Sequence, residues 1–233
     1  MPQHIGIVAC SAEGAALCYR TVCLEGAQYL GALDHPQVSL HNHSFARYMR
    51  SIDAGDWPGV AELMLSSAAK LARAGADFLI CPDNTIHQAF PWVVRRSPLP
   101  WLHIAEVVAA AAVERGFATL GITGTRYLVD SEVYPEKLIA RGVKFQRPTS
   151  QERAEINRII FEELVCGVFK PEAVATFQRV IARMRDAGCD AVVLGCTEIP
   201  LVVNDDNSPL PTLDSTRLLA RAALRRATQR PAA

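Results

Sequence analysis

One stretch of this chain occurs twice. Ala74-Gly75-Ala76-Asp77-Phe78-Leu79-Ile80-Cys81-Pro82-Asp83-Asn84-Thr85 can be laid on Ala187-Gly188-Cys189-Asp190-Ala191-Val192-Val193-Leu194-Gly195-Cys196-Thr197-Glu198 at an offset of 113. Each copy reads Ala-Gly-x-Asp followed by a four-residue apolar run. Ile5-Gly6-Ile7 lies on Leu120-Gly121-Ile122 at an offset of 115. Two strand-and-turn landmarks with nearly equal offsets predict two lobes of similar topology.

Short apolar runs alternate with helical periodicity along the whole chain. Strands are expected at 4–10, 38–43, 77–81, 101–104, 119–123, 144–145 and 191–194. Helices are expected at 15–30, 57–74, 105–114, 134–140, 150–165, 171–187 and 214–228. Apolar strands separated by helices are buried on both faces, so each sheet is mostly parallel and flanked by helices. The fold class is therefore α/β, with two pseudo-symmetric lobes. The first lobe is expected at 1–104, completed by a C-terminal helix over 210–230. The second is expected at 105–209.

Half of the 233 residues are apolar, enough for a full core. Lys plus Arg equals Asp plus Glu at 24 each, so the basic excess of a nucleic-acid binder is missing. No apolar run reaches the roughly 18–20 residues that span a bilayer, and no basic leader precedes residues 5–10. A cytoplasmic protein without membrane or nucleic-acid partners is expected. Seven cysteines and no Cys-x-x-Cys favour reduced thiols over a disulfide framework or a zinc site.

The offset of 113 sets Asp83 against Cys196, each one residue past the Pro or Gly that closes its strand. Ligands of open α/β sheets bind at the carboxyl ends of strands. A thiol in such a turn works as an acid or, once ionised, as a base. It also fits a small buried apolar role. Asp83, Asn84 and Thr85 offer one acid/base group and two hydrogen-bonding groups, or equally a helix N-cap cluster. His87 follows, as a catalyst or as a first-turn helix residue. His41 and His43 face one side of a strand, but no third metal ligand accompanies them. P-loop, dinucleotide and nucleophile-elbow motifs are absent from the sequence.

These segments resemble the aspartate/glutamate racemase family, whose members need no pyridoxal phosphate. That family carries a Cys-Asn-Thr-x-His segment in one lobe and Gly-Cys-Thr-Glu in the other. The second is intact at Gly195 to Glu198; the first reads Asp83-Asn84-Thr85-Ile86-His87. Gly124-Thr125-Arg126-Tyr127 and the run from Asn157 to Lys170-Pro171 extend the likeness. The resemblance implies an active site between the lobes, cofactor-independent racemisation of aspartate or glutamate, and a homodimer; no metal is expected. It implies that two acid/base groups, Asp83 and Cys196, act on opposite faces of the α-carbon. Ser11, Asn84, Thr85, Thr125 and Thr197 are implied as contacts to the substrate carboxylate. Lys170 is implied against a side-chain carboxylate, and Arg47 or Arg50 more loosely; Thr197 and Glu198, next to Cys196 in the motif, can orient or tune the thiol or contact a bound carboxylate. Asp83 stands where the family has Cys, and Cys81 lies two residues earlier. Two alternatives share the same residues. One is a single-cysteine decarboxylase or isomerase of a related dicarboxylic acid; the other is a dicarboxylate-binding protein without turnover.

Overall fold

The structure, a computed structural model, describes residues 1–229. It divides into two units, Met1–Ile104 together with the segment from Thr216 onward, and Ala105–Ser215.

The first unit contains β1 (Ile5–Ala9), α1 (Ala12–Glu25), α2 (Ala27–Leu30), β2 (Val38–Asn42), α3 (Phe45–Asp53), α4 (Trp57–Arg73), β3 (Phe78–Ile80), α5 (Phe90–Val93) and β4 (Trp101–Leu102). A 3-10 turn over Thr85–Ala89 precedes α5. The second unit runs from α6 (Ile104–Glu114) through β5 (Thr119–Thr123), α7 (Arg126–Val129), α8 (Val133–Ile139), β6 (Lys144–Gln146), α9 (Ser150–Glu162), α10 (Pro171–Asp186), β7 (Ala191–Leu194) and β8 (Thr212–Asp214). α11 (Ser215–Thr228) then joins the first unit.

Each unit holds one four-stranded parallel sheet flanked by helices. The strand orders are β2-β1-β3-β4 and β6-β5-β7-β8, the same order in both. The sequence offsets reappear as register. Ile5 pairs with Phe78, and Leu120 pairs with Ala191. The repeated Ala-Gly-x-Asp has one job in both units. Gly75 and Gly188 end their helices at φ 89° and 92°, a conformation costly for any side chain. The aspartate two residues later then accepts a backbone N–H at the start of the central strand. Asp77 Oδ2 takes His4 N–H at 2.7 Å, and Asp190 Oδ2 takes Ala118 N–H at 2.7 Å.

Every residue of β1, β3 and β7 is buried, as the apolar runs require. α10 buries Ala173, Phe177, Val180, Ile181 and Met184, a stripe at helical spacing that packs with Val192 and Leu194.

Several expectations need correction. Residues 210–230 are not one helix: 212–214 form β8, beside β7, and only Ser215–Thr228 is helical. Position 230 lies outside the described residues. The helix expected over 150–165 stops at Glu162. Glu163 leaves helical geometry at φ −123°, with its carboxylate turned inward to Arg158, and a 3-10 turn over Leu164–Cys166 follows. The helix expected over 15–30 is two segments, and α3 was not expected at all.

Candidate active site

In the first unit the residues of interest gather where β1 and β3 end. Ser11, two residues past β1, is the N-cap of α1, and its hydroxyl accepts Gly14 N–H at 3.3 Å. β3 stops at Ile80, so Cys81 does not continue the strand alternation. Its side chain is buried, with Sγ 4.0 Å from the carbonyl oxygen of Asp83. Burial pushes the Cys81 thiol well up, and the Asp83 charge adds to the rise. Cys81 is thus a poor base. Asp83 is half-buried, and its Oδ1 accepts Ile86 N–H at 3.1 Å, the capping bond that an Asp before a helical turn favours. Asn84 is buried and Thr85 half-buried. His87 is buried among Phe90 and His103.

Tyr48, on α3, is a residue the sequence did not bring forward. Its phenol oxygen is fully buried. Burial pushes its pKa far up, and the neighbouring Cys10, Cys81 and Asp83 raise it further. The one signal in the sequence would have been the i, i+4 spacing of Tyr48 and Ile52 in a short amphipathic run.

Arg47 is exposed on α3 and donates to His43 Nδ1 at 3.2 Å; Arg50 is exposed as well. His41 and His43 bond to side chains of α4. Lys70 Nζ donates to His41 Nε2 at 2.8 Å, and His41 Nδ1 meets Ser67 Oγ at 2.9 Å. His43 Nε2 meets Ser66 Oγ at 3.3 Å.

The second unit repeats the arrangement at the ends of β5 and β7. Thr125, two residues past β5, is the N-cap of α7 and accepts Leu128 N–H at 3.4 Å, as Ser11 does for α1. Asn157 Oδ1 accepts Arg126 N–H at 3.0 Å. Gly195 follows β7, and its N–H bonds Thr123 O at 2.9 Å. A Cβ at Gly195 would stand 2.5 Å from that carbonyl and 2.5 Å from Leu128, so only glycine fits this turn.

Cys196 comes next and is half-buried, whereas Thr197 and Glu198 are buried. Cys196 Sγ lies 2.9 Å from Glu198 Oε2, and Thr197 Oγ1 donates to the same oxygen at 2.8 Å. A carboxylate oxygen in hydrogen-bond reach of a thiol can take its proton and return it. Lys170 is the N-cap residue of α10 and lies 3.6 Å from Glu163 Oε2. Glu163 is buried, and the hydrogen bond from Arg158 holds its pKa below the usual carboxylate value. Lys170 therefore already faces one carboxylate of the protein itself.

Within each unit, then, the turns after the two central strands carry one partly exposed acid/base group among buried polar neighbours. The family described as Asp/Glu/Hydantoin racemase matches residues 9–223. This chain belongs to that family. A structure from Yersinia pestis named as a candidate Asp/Glu racemase is 30% identical, with a TM-score of 0.90 over 97% of this chain and 100% of its own. An aspartate racemase homologue from Pyrococcus horikoshii OT3 is 25% identical, with a TM-score of 0.85 over 97% and 100%. The broad specificity amino-acid racemase RacX of Bacillus subtilis (strain 168) is 21% identical over 82% of each chain. Family and fold together support an amino-acid racemase, an isomerase acting on small molecules. Among the described residues no helix is long and apolar enough to cross a membrane.

Proposed function

We propose that the chain racemises an acidic amino acid, aspartate or glutamate, without a cofactor. Asp83 and Cys196 are the two acid/base groups, working on opposite faces of the α-carbon. One removes the α-proton and the other delivers a proton to the far side. The observation that carries this reading is the 2.9 Å contact between Cys196 Sγ and Glu198. It gives the thiol a built-in proton acceptor in the turn that the offset of 113 matches to Asp83. Ser11, Asn84, Thr85, Thr125 and Thr197 supply hydroxyl and amide groups to the substrate carboxylate, and Lys170 or Arg47 a cation to its side chain. The resemblance adds a homodimer, which sedimentation of the purified chain checks, and the sequence adds a cytoplasmic location.

With ordinary pKa values an Asp is a weaker base than a Cys by about 4.6 units, roughly 6 kcal/mol of driving force, so the two acid/base groups are not equivalent. The two half-reactions therefore run at different rates, while the equilibrium constant between enantiomers stays at one. The test is α-proton exchange of L- and D-aspartate and of L- and D-glutamate in deuterated water. Exchange with inversion is expected. Cys196→Ser is expected to abolish inversion, and Asp83→Asn to remove the exchange of one enantiomer. Full activity in either variant refutes the role given to that residue.

A second reading is favoured by one contact. Asp83 Oδ1 already serves as a cap for Ile86 N–H. If that is its whole role, Cys196 works alone, as in a decarboxylase that protonates an enediolate. Loss of CO₂ from a substituted malonate without any amino-acid exchange would select this reading. Thermal stabilisation by a dicarboxylate, with neither reaction, would select a binding protein.

A further inference from the structure

The hydrogen bonds of His87 fix its chemistry. Nδ1 lies 2.6 Å from the carbonyl oxygen of Asp83. A carbonyl only accepts, so Nδ1 carries the proton. Nε2 accepts the backbone N–H of Ile104 at 3.3 Å, so it holds a lone pair. Both nitrogens are committed, and the ring is a neutral imidazole in one tautomer. It is 2% exposed. Its face stacks on Phe90 with centroids 5.3 Å apart, and the His103 ring meets it edge-on at 4.5 Å.

The two partners sit on different elements. Asp83 is in the turn after β3, and Ile104 opens α6 just past β4, the neighbouring strand. The imidazole thus ties the turn that carries Asp83 to the carboxyl end of the adjoining strand. Asp83 is held at two points: its carbonyl by His87 and its side chain by Ile86 N–H.

We infer that His87 is a positioning residue, a neutral strut that sets where the Asp83 carboxylate stands, and that it transfers no proton itself. The inference rests on the proposed acid/base role of Asp83. A displacement of about 1 Å in a reacting group can cost on the order of 10²-fold in rate. The strut should therefore matter to one half-reaction only, the one Asp83 serves.

Two conservative variants separate the ring nitrogens. The amide of His87→Asn overlays Nδ1 and can still donate to Asp83 O. The amide of His87→Gln overlays Nε2 and cannot. Solvent deuterium exchange is measured for each enantiomer of aspartate and glutamate, with Asp83→Asn identifying the enantiomer that Asp83 serves. His87→Asn should exchange that enantiomer within a few-fold of the unmodified chain. His87→Gln should lose about 10²-fold there, and stay within a few-fold on the enantiomer served by Cys196.

In parallel, long-range proton–nitrogen spectra of the ¹⁵N-histidine-labelled chain separate the two neutral tautomers from imidazolium. The signals missing in His87→Asn belong to His87. A single neutral ring with Nδ1 protonated, unchanged from pH 8 to 5.5, is expected. Titration near the ordinary value of about 6.5, an Nε2-protonated ring, no loss in His87→Gln, or equal loss of both half-reactions would each overturn the inference. If the unmodified chain exchanges no acidic amino acid, the racemase reading falls instead. The imidazole spectrum then decides the strut alone.

Discussion

Asp77 and Asp190 grip the central strands of their own units in the same manner. Each carboxylate bonds a backbone N–H 2.7 Å away, one residue before β1 or β5 begins. Asp190 takes a second amide, Thr119 N–H, at 3.1 Å. A hydrogen bond to a charged acceptor contributes roughly 1.5–3 kcal/mol, and less where water competes. Asp77 is exposed and Asp190 half-buried. Asp190→Ala should therefore cost about 2 kcal/mol in urea unfolding, and Asp77→Ala about half of that. Equal, negligible losses would show that these bonds follow the fold rather than support it.

Glu198 receives both Cys196 and Thr197 on one oxygen. Glu198→Gln keeps the size and a hydrogen-bonding group but removes the carboxylate that accepts the thiol proton. Racemisation should fall by about 10²-fold, the lower end of general acid/base effects. Alkylation of Cys196 by iodoacetamide should slow in parallel, with Cys196→Ser as the blank. A variant whose thiol reacts at the original rate would remove Glu198 from this role.

The His41 and His43 cluster gives the first unit a pH dependence of definite sign. Burial lowers the pKa of both imidazoles; Lys70 lowers both further, and at His43 so do His41 and Arg47. In the unfolded chain both titrate near 6.5. The unfolded state therefore binds more protons as pH falls, and stability declines with it. The cluster's contribution is full above about pH 6.5 and is lost as pH drops through the depressed folded values. Urea midpoints at pH 7.5 and 5.5 should show this decline, and the double variant His41→Gln, His43→Gln should flatten it. The paired carboxylates Glu152, Glu155 and Glu163 are likewise held low. They lose their contribution only under more acidic conditions, so they do not confuse the comparison.

What could be read from the sequence depended on how local each signal was. β5 and β7 fall where the apolar runs lie, because a glycine stands three residues before each and another directly after it. The common strand order followed from two offsets, since register repeats whenever strand and turn lengths do. β8 was hidden. Thr212–Asp214 is only three residues long, and it pairs with β7 across a long loop. α3 was hidden too, since nine residues give helical periodicity little room. At the site, Gly195-Cys196-Thr197-Glu198 was legible as a motif with Glu198 able to tune the thiol, but the single oxygen that takes both Cys196 and Thr197 was not. The part His87 plays depends on Ile104, seventeen residues away on another element, and no spacing rule links them. Lys170 read as an available cation, while its neighbour Glu163 became visible only where α9 breaks.

The first unit is not contiguous in the chain. Gln3 N–H bonds Ala227 O at 2.8 Å, Arg221 makes a paired contact with Glu25, and Arg226 covers the Phe78 ring. Translation thus delivers every strand of this sheet long before the helix that finishes it. The second unit, by contrast, is whole once Ser215 has emerged. On the ribosome the later half can mature first, while the earlier half lacks the contacts of Arg221, Arg226 and Ala227 until α11 arrives.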